Sequence, residues 1–229
     1  MKAAKKMAAQ VLNALKARYP QANTELAYND PWELLVATQL AAQCTDARVN
    51  MVTPVFFARW PGPRELASAL QPDVEAVIHP VGYFRNKARN LIAAAKMVCE
   101  KFGGALPQTM EELIQLPGVA RKTANVVLFA GFGKNEGMAV DTHVKRISYR
   151  LGLTDNVDPV RIERDLTQIL PREEWGDFNH RMVWFGREIC KARKPDCANC
   201  EMAGFCPKRK PPQEAAKRTE NEPESAAQE

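Results

Sequence analysis

The amino-acid sequence predicts an all-α protein. Apolar residues recur at helical spacing through most of the chain, and helix-capping signals open the periodic segments. No run alternates apolar and polar residues as a half-buried strand does. At 229 residues the chain can bury a substantial core, as one domain or as two small ones.

Residues 5–18 place Ala8, Val11, Leu12 and Leu15 on one helical face, and the pattern stops before Pro20. Asp30-Pro31-Trp32-Glu33 joins a capping carboxylate, a proline suited to the first helical position and a glutamate at the capping-box position. The helix they open is predicted to run to about Gln43. Thr45 and Asp46 cap another that reaches Trp60, where Pro61-Gly62-Pro63 breaks the chain. Short helices follow at about 64–70 and 73–79. Residues 85–102 align Leu91, Ala95, Val98 and Phe102, and Gly103-Gly104 ends that helix. Thr109 and Glu112 form a second capping box.

The stretch 116–143 reads LPGVARKTANVVLFAGFGKNEGMAVDTH. Its Pro117-Gly118 turn breaks one helix, another restarts at Arg121-Lys122, and Asp141 stands at a further helix start. A turn feeding a helix N-terminus presents backbone N–H groups that suit an anion such as a phosphate. Taken singly, Lys122 is an ordinary first-turn lysine and Asp141 an ordinary N-cap. Helices are expected at 142–151, at 159–169 behind the Asp158 cap, and at 174–189 with Phe178, Met182, Phe185 and Ile189 in line. Residues 210–229 hold almost no large apolar side chain and are expected to be disordered.

Net charge is +5, from 32 basic and 27 acidic residues. Residues 210–229 hold three basic and five acidic side chains, so the rest of the chain is more basic than the total. That balance suits a polyanionic partner without identifying one. No uninterrupted apolar stretch reaches the roughly 18 residues of a membrane span, and the N-terminus lacks an apolar signal-peptide core. No membrane association is expected, and the location is read as cytoplasmic.

Six cysteines in such a protein do not read as a disulfide framework. Cys190, Cys197, Cys200 and Cys206 are spaced C-x6-C-x2-C-x5-C, which points to a metal centre. On chemistry alone, four thiolates suit either zinc or a cubane iron–sulfur cluster. Cys44 and Cys99 stand apart and read as buried thiols.

LPGVARKTA followed by VDTH, with the four-cysteine ending, resembles the helix-hairpin-helix DNA glycosylases, specifically the endonuclease III family, over residues 7–209. The resemblance implies two lobes. One is a helical barrel over 25–135, with the hairpin at 116–121. The other is discontinuous, 1–24 plus 136–209, and carries the cluster loop 190–206. It implies a [4Fe–4S] cluster on the four cysteines, a Schiff-base nucleophile at Lys122 and its partner carboxylate at Asp141. Gly118, Ala120 and Arg121 of the hairpin would meet phosphate, as would Lys191, Arg193 and Lys194 of the cluster loop. Gln43 would fill the gap left by a flipped base. The loop of Tyr83 would enter the duplex, where the family commonly uses leucine.

The implied activity is excision of damaged, oxidised pyrimidines followed by β-elimination at the abasic site. The partner would be double-stranded DNA bearing damaged pyrimidines or abasic sites. The protein would act as a monomer, nucleoid-associated in a prokaryote. One departure is Ala120, since the family hairpin reads LPGVGRKTA; a methyl group there would crowd the phosphate or strain a positive φ. Asp46 reads as a cap, and His143 has no assigned role. An adenine mismatch glycosylase lacks the lysine at the Lys122 position and has a glutamate in the early helix, where this chain reads ATQLAAQCTDARVN. A pyrimidine-dimer glycosylase would share Lys122 and Asp141 and remains an alternative. So does a non-catalytic iron–sulfur DNA-binding module.

Overall fold

A computed structural model describes residues 2–210. Eleven α-helices are present among the described residues: α1 (Lys2–Arg18), α2 (Pro31–Leu40), α3 (Asp46–Arg59), α4 (Pro63–Ala67), α5 (Gln71–Ile78), α6 (Phe84–Phe102), α7 (Met110–Leu113), α8 (Arg121–Val126), α9 (Thr142–Arg150), α10 (Pro159–Ile169) and α11 (Trp175–Glu188). No strand occurs among the described residues. The expectation for the tail concerns residues that, from 211 on, lie outside the described ones.

The chain divides into two compact units. One is Asn23–Ala139; the other joins the residues up to Ala22 with those from Val140 onward. In the Asn23–Ala139 unit α2 is the central element, because eight of its ten residues are buried and it has no polar face to turn outward. It packs against α3, α6 and α8. Leu34, Leu35, Leu40, Phe56, Leu66, Ile78, Leu91 and Leu113 fill the core between them. α4 and α5 lie along α6.

The N-terminus of α2 departs slightly from the expected capping box. Asp30 Oδ1 accepts the Glu33 N–H at 2.8 Å, but Glu33 Oε2 accepts the N–H of Asn29 at 2.7 Å, one residue before the cap. At α7, Thr109 Oγ1 accepts the Glu112 N–H at 3.3 Å and donates to Glu112 Oε2 at 2.8 Å. α2 ends at Leu40 rather than near Gln43, and a short turn leads to α3.

In the second unit, α1 buries Ala8, Val11, Leu12 and Leu15 and packs against α10 and α11. Glu174 is the polar clasp of this unit. Lys16 donates to its Oε1, and the buried Arg181 donates to its Oε2 at 2.9 Å. Burial pushes the Glu174 carboxyl up, but the hydrogen bonds from Lys16 and Arg181 outweigh it and hold the group below the usual carboxylate range. A depressed carboxylate stabilises the fold fully above its unfolded pKa and loses that contribution as pH falls through the folded value. Glu174→Gln should therefore lower stability at pH 7 by about 1–3 kcal/mol. The gap from wild type should close in acid, as read by urea unfolding at both pH values. A gap that does not change with pH would show that the clasp is not electrostatic.

Candidate functional site

The hairpin is a local consequence of two residues. The Val119 N–H donates to the Leu116 carbonyl at 3.0 Å, with Pro117 second and Gly118 third at φ 78°, the pattern of a type II turn. A Cβ on Gly118 would sit 2.6 Å from Gln39 Oε1 and 3.1 Å from Asn90 Cβ. Glycine is thus required here for its backbone angle and because α2 and α6 press against the turn.

Ala120 is different. Its φ of −90° and ψ of 167° are extended, so the expected backbone strain does not arise. It precedes α8, where Arg121 and Lys122 are exposed at the first two positions. α8 runs directly into a π turn, Val127–Gly131, which helical periodicity did not distinguish from the helix before it. Gly131 lies there against α2: a Cβ on it would approach Pro31 Cβ at 3.2 Å.

Asp141 belongs to the other unit, half-buried at the N-cap of α9. Its Oδ1 accepts the Val144 N–H at 2.7 Å. His180 of α11 lies within reach of its charge; burial holds the His180 imidazole below its ordinary pKa despite the nearby Asp177 and Asp141. His143 sits at the start of the same helix as Asp141's cap, with Nδ1 3.2 Å from Arg146 Nη2. Asp46, half-buried, is the first residue of α3, where Thr45 supplies the cap by accepting the Arg48 N–H at 3.4 Å.

Gln43 and Tyr83 share an unusual backbone. Gln43 has φ 56° in the exposed turn after α2, and Tyr83 has φ 47° just before α6. Tyr83 is 64% exposed, so its ring does not pack back onto the core.

All four clustered cysteines line one cavity of about 1010 Å³, together with Arg150, Leu151, Phe185, Ile189 and Ala203. Four thiols lining one cavity form a donor set that suits an iron–sulfur cluster as well as zinc. Burial pushes the Cys200 and Cys206 thiols up. Thiolates are the metal ligands, so loading this site releases protons.

Between Cys190 and Cys197, the side chains of Lys191, Arg193 and Lys194 are all exposed, and Lys194 adopts φ 53°. The loop is held from beneath by two arginines of α9 that no sequence motif marks. Buried Arg150 donates to the Lys191 carbonyl at 2.7 Å, the Ala192 carbonyl at 2.9 Å and Cys190 Sγ at 3.7 Å. Arg146 donates to the Cys190 carbonyl at 2.9 Å. The available signal was their spacing, four apart on the helix that also buries Ile147. Cys44 and Cys99 are only half-buried, which corrects the expectation of buried thiols. Cys44 packs at the edge of the core, where the turn after α2 leaves it partly open.

Comparison with known proteins decides the family. Residues 36–172 match the HhH-GPD superfamily base excision DNA repair protein family, and residues 190–206 match the iron-sulfur binding domain of endonuclease III. The endonuclease III of Synechocystis sp. is 51% identical over 207 residues, covering 90% of this chain and 94% of that protein. The chain belongs to the endonuclease III family. The Bacillus subtilis endonuclease III is 42% identical, covering 85% of this chain and 89% of its own. A solved endonuclease III–DNA complex, described as a trapped covalent intermediate, is 40% identical with a TM-score of 0.84, covering 94% of this chain and 98% of that one. Membership makes the protein a DNA-binding, bifunctional glycosylase and abasic-site lyase with a [4Fe–4S] cluster. It removes the non-catalytic module from consideration. No helix among the described residues is long and apolar enough to cross a membrane.

Proposed function

We propose that the protein excises oxidised pyrimidines from double-stranded DNA and cuts the strand at abasic sites through a Schiff base on Lys122. The observation that carries this reading is the related endonuclease III trapped in covalent union with DNA, since such a bond requires a nucleophile. In this chain Lys122 is the residue that matches the family's nucleophile, in the first turn of α8 behind the hairpin.

The reaction follows from the chemistry of an amine and a carboxylate. The damaged base is turned out of the stack. The neutral Lys122 amine attacks the sugar C1′, the glycosidic bond breaks, and the base leaves with a proton. The sugar ring opens as the C1′–nitrogen bond becomes an imine. Loss of a C2′ proton then expels the 3′ phosphate, with the imine as electron sink, and water releases the enzyme. Asp141 accepts the lysine's proton and stabilises the cationic sugar; its bond to the Val144 N–H fixes the carboxylate for both tasks. Gly118, Ala120 and Arg121 position the phosphate backbone, as do Lys191, Arg193 and Lys194. Gln43 fills the gap that the extruded base leaves in the duplex, and the loop of Tyr83 enters the duplex beside it. Cys190, Cys197, Cys200 and Cys206 hold the cluster, which supplies a rigid frame for the basic loop. The protein acts as a monomer, in the cytoplasm with the nucleoid.

The test is a substrate comparison. Duplexes carrying one oxidised pyrimidine, one pyrimidine dimer or one abasic site are each incubated with excess enzyme, and the cut ends are analysed. Rapid cleavage at the oxidised base and the abasic site is expected, leaving an unsaturated sugar at the 3′ end of the upstream fragment and a 5′ phosphate on the downstream one. Faster cleavage at the dimer would replace this reading with that of a dimer glycosylase.

A further inference from the structure

Lys87 lies in the first turn of α6, 8% exposed, on the same stripe as buried Leu91, Ala95 and Val98. Helical spacing calls for an apolar residue there, and an ammonium is unfavourable when buried unless hydrogen bonds replace its water. Burial indeed holds the Lys87 pKa below that of an ordinary lysine. Its Nζ donates to the Leu40 carbonyl at 2.8 Å and to the Val81 carbonyl at 3.0 Å. Both acceptors are chain ends: Leu40 is the last residue of α2, and Val81 is the last of a 3-10 turn, His79–Val81. Such terminal carbonyls have no partner within their own helix, and the C-terminal end of α2 carries partial negative charge.

The same two ends lead into the strained loops. Three residues after Leu40 the chain reaches Gln43, and two after Val81 it reaches Tyr83. In the Asn23–Ala139 unit these are the only residues other than glycine with a left-handed φ. A residue with a Cβ holds that conformation only where its surroundings over-determine it. One ammonium therefore anchors the last fixed point before each of the two loops.

We propose that Lys87 is a positioning residue that locks the Gln43 and Tyr83 loops to each other, and so sets how well the enzyme extrudes a base from a duplex. The proposal rests on the reading that these loops enter the DNA. It predicts a defect confined to steps that work against stacking and pairing.

The experiment uses the full-length, cluster-loaded protein with Lys87→Met, which keeps the length but loses the donors, and Lys87→Arg, which keeps them. Single-turnover excision of an oxidised pyrimidine from duplex DNA is compared with cleavage at an abasic site in single-stranded DNA. Lys87→Met should lower duplex excision by about tenfold or more and single-strand cleavage by less than about twofold. Lys87→Arg should recover most of the loss. Combined with Gln43→Ala and Tyr83→Ala together, the methionine should add little, because both loops it misplaces have already lost their tips. Equal loss on both substrates, or full additivity with the combined Gln43→Ala and Tyr83→Ala change, would reduce Lys87 to a structural residue. A normal Lys87→Met beside impaired Gln43→Ala and Tyr83→Ala would overturn this proposal alone. Unimpaired loop variants would overturn the loop reading and this proposal with it. If Lys87→Met fails to fold, Lys87→Leu, which also lacks a donor, carries the same comparisons.

Discussion

Lys122→Gln should yield no borohydride-reducible adduct with DNA carrying an abasic site, whereas the unaltered protein should be trapped readily. Borohydride reduces an imine to a stable amine, so the adduct reports the covalent step itself. Glutamine has similar length and hydrogen-bonding capacity but no free amine, and strand cleavage should fall by roughly a thousandfold or more. DNA affinity should stay within about threefold, because the hairpin backbone and Arg121 are untouched and each neutralised phosphate contributes separately. Normal trapping by Lys122→Gln would place the nucleophile elsewhere. The comparison is informative because Lys122 is exposed in the structure, so its replacement should not disturb the core.

Cys200→Ser should remove or cripple the cluster. The protein as purified should contain iron with inorganic sulfide and absorb broadly in the visible. The serine variant should lose most of that absorbance, because an alkoxide is a far poorer ligand for iron here than a thiolate. The consequence for DNA should be electrostatic. Lys191, Arg193 and Lys194 are presented by a segment fastened at Cys190 and Cys197, and a slack segment no longer aligns them with phosphates. The dependence of affinity on salt should flatten by roughly one unit for each phosphate that is no longer neutralised, up to about three. At saturating DNA, trapping through Lys122 should persist. Analysis finding one zinc and no iron in the unaltered protein would sink the cluster assignment, and an unchanged salt slope would show that the loop does not face the backbone.

What could be read from residues alone follows the range of the forces involved. Capping is decided within four residues, and Asp30, Thr45, Thr109, Asp141 and Asp158 each accept a backbone N–H as expected. The apolar face of α1 also follows from spacing. That the four cysteines line one cavity follows from their close spacing, whereas the proposed roles of Lys122 and Asp141 rest on the family motif and not on any local signal. Partners distant in sequence were not legible. Gln39 presses on Gly118 and Lys87 reaches Leu40, while Arg150 holds Lys191; each pairing spans 40 or more residues and leaves no periodic trace. The early end of α2 escaped for a related reason. A left-handed glutamine is set by the packing around it and not by its own preference.

The discontinuous unit has a consequence for biosynthesis. α1 is made well before α10 and α11, against which it packs and which begin only at residues 159 and 175. At about 5–20 residues per second, an apolar helix waits roughly 10–30 s for its cover. Meanwhile Asn23–Ala139 is synthesised whole and can collapse on α2 without waiting for anything downstream. The four cysteines, at 190–206, are made after all eleven described helices, so the ligands for iron arrive only once the helices have been synthesised. For that interval the apolar face of α1 has yet to meet the helices it packs against in the folded protein.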